Sequence, residues 1–378
     1  MRKLKVSSKT LPDMKVGLAL SDAGFYRPGQ STMPGDLDFY FRLAEKRLPG
    51  QELFFEFQPE ASWILEEPGH FFAPDRENKW LELGRAMRRN DLQGQYAPVV
   101  SFLSRQGSRF GVHQSIRDMD ILSEDISVQL RTLESAKQGM IFAGHIRAEY
   151  FVFHLSQSVD YWDWDRREQM DVAVRAFQEI ADFYHQCAPG FIPLLENLEF
   201  PKFPATATEI VNLFKRCREF LPGLGICLDV PHLWHSRALI LENRKKLRGK
   251  VSDLSLLKDD FLPYLDHTLS LIAANCGGVY LYHMGGCYEH ETHEIPGLLP
   301  GEDPFTHHLR LDETDIYDPE LELDYPGAIN TILRHHLREV RELLMVLEIH
   351  NRSFEEMLEV SRQITRDLHD KAARLITL

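Results

Sequence analysis

The chain has no apolar stretch of the roughly 18 to 20 residues that a membrane span requires. Its basic start, MRKLKVSSKTLPDMK, is not followed by the apolar run of a secretory leader. A membrane or exported protein is therefore not expected, and the expected location is the cytoplasm. Cysteine is scarce: Cys187, Cys217, Cys227, Cys276 and Cys287 are odd in number and form no CxxC pair. That usage disfavours a disulfide framework and a thiolate zinc finger and suits a reducing compartment. Positive charge is in deficit too, with 43 Lys and Arg against 57 Asp and Glu and a net charge of −14. Nucleic-acid binding draws its affinity from clustered Lys and Arg, so a large nucleic-acid footprint is not expected. The basic runs Arg85 to Arg89 and Arg244 to Lys250 read as solvated helix or loop faces. Low-complexity tracts, internal repeats and flexible linkers are missing, and 378 residues with 43% hydrophobic content can bury a full core.

What the chain does have is a recurring pattern. Six apolar runs each end in a side chain able to bind a metal: RFGVHQS at His113, YFVFHLS at His154, IPLLENL at Glu196, GICLDVPH at Asp229 and His232, VYLYHMGG at His283, and MVLEIHN at Glu348. Short runs rich in Val, Ile, Phe and Leu read as buried parallel strands. With MKVGLALSD and QELFFEFQPE ahead of them they make eight strands, separated by amphipathic helical segments such as DISVQLRTLESAKQGMIFAG and REQMDVAVRAFQEIADFYHQC. Strands alternating with helices of this length are right-handed βαβ units, and eight of them close a (β/α)8 TIM barrel. The expected organisation is one barrel domain over 1–378, with strands from about 14 to 350 and a C-terminal helix over about 352–376. Segments 58 to about 80, 233 to about 257 and 284 to about 325 exceed an ordinary βα connection and read as lids and substrate walls on the catalytic face.

In such a barrel the strand C-termini converge on the face that carries the site. Glu196, Asp229, His283 and Glu348 would there offer carboxylate oxygens and an imidazole nitrogen to a divalent ion of the Mn, Co or Zn kind, with a position left open for water or substrate. His113 and His154 would stand on the other side of Glu196, which could then bridge two metals about 3.5 to 4 Å apart. Other groups read more plainly. His290 and His293 fall in a polar loop, His335 and His336 read as helix surface, and Trp162 and Trp164 either stack on a ligand or pack on the barrel rim.

The ordered series His in VHQS, His in FHLSQS, Glu in LLENL, Asp and His in CLDVPH, His in LYHMGG and Glu in VLEIH resembles the endonuclease IV and xylose isomerase-like superfamily of TIM barrels over about residues 109 to 350. The resemblance implies three zinc ions: His113 and His154 on the first, Glu196 bridging, Asp229, His283 and Glu348 on the second, and His232 on the third. His307 or His308 would complete the third site, with Asp303 or Asp312 in place of the family's Asp-x-His step. The chain departs from endonuclease IV at Ile116, where that enzyme has a wedging Tyr, and in the acidic QPEASW after the second strand.

Two reactions fit these residues. A metal cluster that activates water would hydrolyse a phosphoester, with zinc or manganese as cofactor and a small or nucleotide-derived substrate. Alternatively, one metal would polarise a sugar or sugar phosphate while Glu196 and Glu348 move protons on and off carbon, giving an isomerase or epimerase. His113 and His154 favour the hydrolase, and this is the leading expectation. Incision of abasic duplex DNA is a further alternative, and a metal-binding barrel without turnover is the non-enzyme one.

Overall fold

The computed structural model describes residues 13–19, 34–58, 101–114, 119–156, 164–187, 190–257, 260–285, 323–336, 342–348 and 354–377. Eight strands run parallel: β1 (Met14–Ala19), β2 (Phe54–Phe57), β3 (Arg109–His113), β4 (Tyr150–Phe153), β5 (Ile192–Glu196), β6 (Gly225–Asp229), β7 (Leu281–Met284) and β8 (Leu343–Leu347). Each pairs with the next, and β8 pairs back with β1 to close the barrel. The longer helices among the described residues are α1 (Pro34–Arg47), α2 (Ile126–Ile146), α3 (Arg166–Cys187), α4 (Ala207–Arg218), α5 (Val230–Glu242), α6 (Leu262–Cys276), α7 (Tyr325–His336) and α8 (Phe354–Thr377). The closed parallel barrel is the expected (β/α)8 fold.

Two buried apolar clusters follow from the period-two alternation of the strands. Phe151 and Phe153 of β4, Leu195 of β5, Ile226 and Leu228 of β6 and Met345 and Leu347 of β8 join the layer beneath the helices. The residues between them, Tyr150, Val152, Leu194, Cys227, Leu344 and Val346, form a separate cluster with Phe54 and Leu281, which is the filling of the barrel lumen. Two large rings cross that lumen, Phe54 and Tyr150, with centroids 5.9 Å apart. Glycine makes the room. A Cβ on Gly111 would lie 2.1 Å from the Tyr150 ring, and one on Gly17 would lie 2.2 Å from Phe54. Below them Arg109 grips Glu149 through paired hydrogen bonds and Glu342 at 2.5 and 2.8 Å, joining the N-terminal ends of β3, β4 and β8. Such bidentate pairs tie strand ends that no local contact would hold together.

Two expectations need adjustment. The segment after β6 is not a loop from its start, because Asp229 caps α5 directly: its side chain accepts the His232 N–H at 2.5 Å, and Pro231 stands in the first turn. An Asp followed by Pro is a helix start, and that signal outweighs the length of the segment. His336 is buried at 2% exposure rather than on the surface, because it follows buried Leu333 by three residues on the inner face of α7, while His335 bonds Asp266 at 2.9 Å. Most of the other two long segments lies outside the described residues. Among the described helices none is long and apolar enough to cross a membrane.

Candidate metal centre

The same inward parity that fills the lumen continues upward to the strand C-termini. Two residues beyond Phe54 is Glu56; beyond Gly111, His113; beyond Val152, His154; beyond Leu194, Glu196; beyond Cys227, Asp229; beyond Leu281, His283; and beyond Val346, Glu348. An inward position at the top of each of seven strands, β2 to β8, thus carries an ionisable group instead of an aliphatic one. All of them are buried except Glu348, which is half-buried on the open side.

Ligand-capable atoms of Glu196, Asp229, His283 and Glu348 lie within 4.8 Å of one another, as do those of His113, Glu196 and His283. Glu196 is the shared member. Its Oε1 is 2.9 Å from His283 Nδ1 and its Oε2 is 3.0 Å from His113 Nε2. His283 Nδ1 is also 3.4 Å from Glu348 Oε1 and 4.0 Å from Asp229 Oδ2. Asp229 Oδ2 is buried and accepts no hydrogen bond. A buried carboxylate oxygen left without a donor is costly unless a cation serves it. That orphan oxygen, in a set of three carboxylates and one imidazole, fits a divalent ion.

The charges follow from this crowding. Burial would raise the Glu196 carboxyl, but His113 and His283 hold it well below its ordinary range. Burial pulls His113 down, yet Glu196, Glu56 and Glu348 carry it up to about 9. His283 is likewise raised against the pull of burial, through Cys227, Glu348 and Glu56. Asp229 goes the other way from Glu196: burial, with Glu348 and Glu196 beside it, lifts it to about 8 despite the opposing pull of His232 and His283. Positive and negative groups are therefore interleaved in a dry site, where each protonation state depends on its neighbours.

His154 and His232 fall outside both close sets. The His154 ring lies 5.6 Å from that of His113 and 6.2 Å from that of His232, its Nδ1 is buried without a partner, and burial lowers it to about 3. His232 has both nitrogens engaged, Nδ1 at 2.8 Å from the Asn197 carbonyl and Nε2 at 2.9 Å from Glu199. Burial opposes its charge, but Asp229 and Glu199 raise it to about 10. His307 and His308, with Asp303, Asp312, His290 and His293, lie outside the described residues, as do Ile116 and Trp162. Trp164 is half-buried and donates its Nε1–H to Glu168 within α3 at 2.7 Å.

Four groups at the site are not visible in the run-end pattern. Glu56 accepts the Tyr150 hydroxyl at 2.8 Å and lies 3.1 Å from His283 Nε2. Asn197 bonds both backbone groups of Asp229. Glu199 and Lys202 form a buried ion pair in the turn after β5. One clue was available: a charged residue inside LFFEF, in a strand covered on both faces, has to find a partner.

A family model described as a xylose isomerase-like TIM barrel matches residues 54–261. No curated protein matches the chain. Among solved structures, L-ribulose 3-epimerase is similar with a TM-score of 0.53 at 12% identity, over 96% of this chain and 99% of that one. A D-allulose 3-epimerase from Methylomonas sp. has a TM-score of 0.53 at 10% identity, over 94% and 98%. The IOLI protein with a binding zinc atom has a TM-score of 0.53 at 11% identity, over 95% and 99%. Likeness at these identities is a likeness of fold.

Proposed function

The chain belongs to the xylose isomerase-like TIM barrel family, and from that premise and the cluster at the barrel mouth we propose that it is a divalent-metal-dependent isomerase or epimerase of a small polyhydroxylated carbonyl compound, a ketose or its phosphate. The observation that carries this reading is the close set of four, Glu196, Asp229, His283 and Glu348. Those four side chains would hold the metal, with manganese or cobalt suited at least as well as zinc by three oxygens and one nitrogen. When bound, the ion polarises a carbonyl oxygen and so acidifies the neighbouring carbon. Glu196, held as a carboxylate by His113 and His283, takes the proton from that carbon. Glu348, the more accessible of the two glutamates, returns one. The epimerase names of the similar barrels agree in kind with this chemistry.

The hydrolase expectation needed His113 and His154 on one further metal and His232 on another. Of these only His113 belongs to a close set; His232 lies 3.5 Å from Asp229 but has its nitrogens on Asn197 and Glu199. The contact of His113 with Glu196 is what favours a second reading, a two-metal phosphoester hydrolase on a small substrate. Neither reading calls for duplex DNA, and the net charge of −14 opposes it. The test is to measure metal equivalents in protein loaded with Mn2+, Co2+ or Zn2+, and then to incubate it with ketoses and ketose phosphates in deuterium oxide. One equivalent and deuterium at a carbon beside the carbonyl are expected. Two or more equivalents, with cleavage of phosphodiesters and no exchange, would overturn the isomerase reading.

A further inference from the structure

We propose that Glu56 is the positioning residue that presents His283 to the metal through Nδ1, and that Tyr150 holds Glu56 in place for this task. The inference rests on the metal centre proposed above. Glu56 is a carboxylate at 1% exposure in a strand whose other residues are Phe54, Phe55 and Phe57. Glu56 tops β2 as Glu196 and Glu348 top β5 and β8, but unlike them it belongs to neither close set that could hold a metal. Burial of a carboxylate among apolar groups is tolerated only where hydrogen bonds compensate. Both of its bonds converge on one oxygen: Oε2 accepts the Tyr150 hydroxyl at 2.8 Å and faces His283 Nε2 at 3.1 Å, while Oε1 has no partner.

The consequence lies in the two nitrogens of His283. A carboxylate can only accept, so Nε2 keeps its proton against Glu56, and Nδ1 is the nitrogen that would give up a proton to a metal. Nδ1 is the nitrogen that faces Glu196 at 2.9 Å, Glu348 at 3.4 Å and Asp229 at 4.0 Å. The imidazole thus spans the lumen from Glu56 to the carboxylate cluster with its donor end down and its ligand end up. A carboxylate on the remote nitrogen of a metal-bound histidine fixes tautomer and ring orientation and makes the ligand more basic. Tyr150 can reach Glu56 because Gly111 leaves space for its ring. The chain of contacts runs from β4 through β2 to β7, three strands that are not mutual neighbours.

The experiment is calorimetric titration of the metal-free protein with Mn2+, for wild type, Glu56→Gln, Glu56→Leu and Tyr150→Phe, alongside the melting temperature of each apo protein. Glu56→Gln is expected to weaken Mn2+ binding about tenfold and Glu56→Leu about a hundredfold, at unchanged stoichiometry. Tyr150→Phe, which removes one oxygen and keeps the ring, should weaken it less than Glu56→Gln does. Nitrogen-15 NMR of the Zn2+-loaded wild type should show His283 protonated at Nε2. A structural role alone would lower the apo melting temperatures and leave the Mn2+ dissociation constants at the wild-type value, and that result overturns the proposal. So does a proton on Nδ1 in the Zn2+ form. If both Glu56 variants fail to fold, Tyr150→Phe with wild-type Mn2+ affinity overturns it as well. A wild type that binds none of Mn2+, Co2+ and Zn2+ sinks the metal centre itself, a failure distinct from variants that bind as tightly as wild type.

Discussion

Asn197 holds both main-chain polar groups of Asp229: its Oδ1 accepts the Asp229 N–H at 2.8 Å and its Nδ2 donates to the Asp229 carbonyl at 2.8 Å. All these groups are buried. The side chain just past β5 therefore sets the height of the residue that ends β6, caps α5 and turns its orphan oxygen toward the cluster.

Asn197→Ala should be costly for that reason. It strands a buried donor and a buried acceptor at once, and a destabilisation of about 2 to 5 kcal/mol is expected in urea unfolding. Metal binding at a temperature where the variant is folded should also weaken, because Asp229 loses its brace. Stability within about 0.5 kcal/mol of wild type would show that water replaces the amide without penalty.

Glu196→Gln keeps the size of the side chain and removes the charge that faces both His113 and His283. Proton transfer from carbon should fall by about 10²- to 10⁴-fold, as expected for loss of a general base. Retained metal should fall too, read by elemental content after dialysis. Wild-type exchange of substrate hydrogen with deuterium would remove Glu196 from the reaction.

His113 and His154 should separate in their effects. With His113→Ala, Glu196 loses the partner that does most to hold it low, so the acid limb of the rate–pH profile should move to higher pH. His154→Ala should keep one equivalent of metal and the wild-type acid limb, since His154 belongs to neither close set. Loss of a metal equivalent in either variant would point back to a two-metal hydrolase.

The metal-free protein should lose stability as pH rises from about 6.5 to 9. Asp229 is raised to about 8, His113 to about 9 and His232 to about 10, so each holds a proton in the folded state that the unfolded chain has released. A group with a raised folded pKa stabilises fully below its unfolded pKa and loses that contribution as pH climbs through the folded one. His145, His154 and His235 are lowered to about 4, 3 and 4, so they act only below about 6.5 and leave this window clear. Saturating Mn2+ should flatten the decline, because a cation then occupies the carboxylates that the protons served. Melting temperatures across this range with and without Mn2+ give the answer, and an apo curve that rises with pH would contradict the assignment.

The eight strands, their order and the seven side chains at the ends of six runs were all legible in the chain, because a strand buried on both faces announces itself as an apolar run and its inward parity is a local property. His113, Glu196, Asp229, His283 and Glu348 could be placed at the barrel mouth from that alone. Which of the run-end groups would approach within bonding distance could not. His154 stands on the same layer as His113 yet outside the close sets, and His232 turns to Glu199, a residue hidden in a turn 33 positions earlier in the chain. Glu56 sits in mid-run and meets His283 across 227 residues of sequence. These partnerships exist only once β8 has closed on β1 and the lumen is narrow enough for side chains from non-adjacent strands to touch. Periodicity along one strand carries no trace of that distance across the barrel.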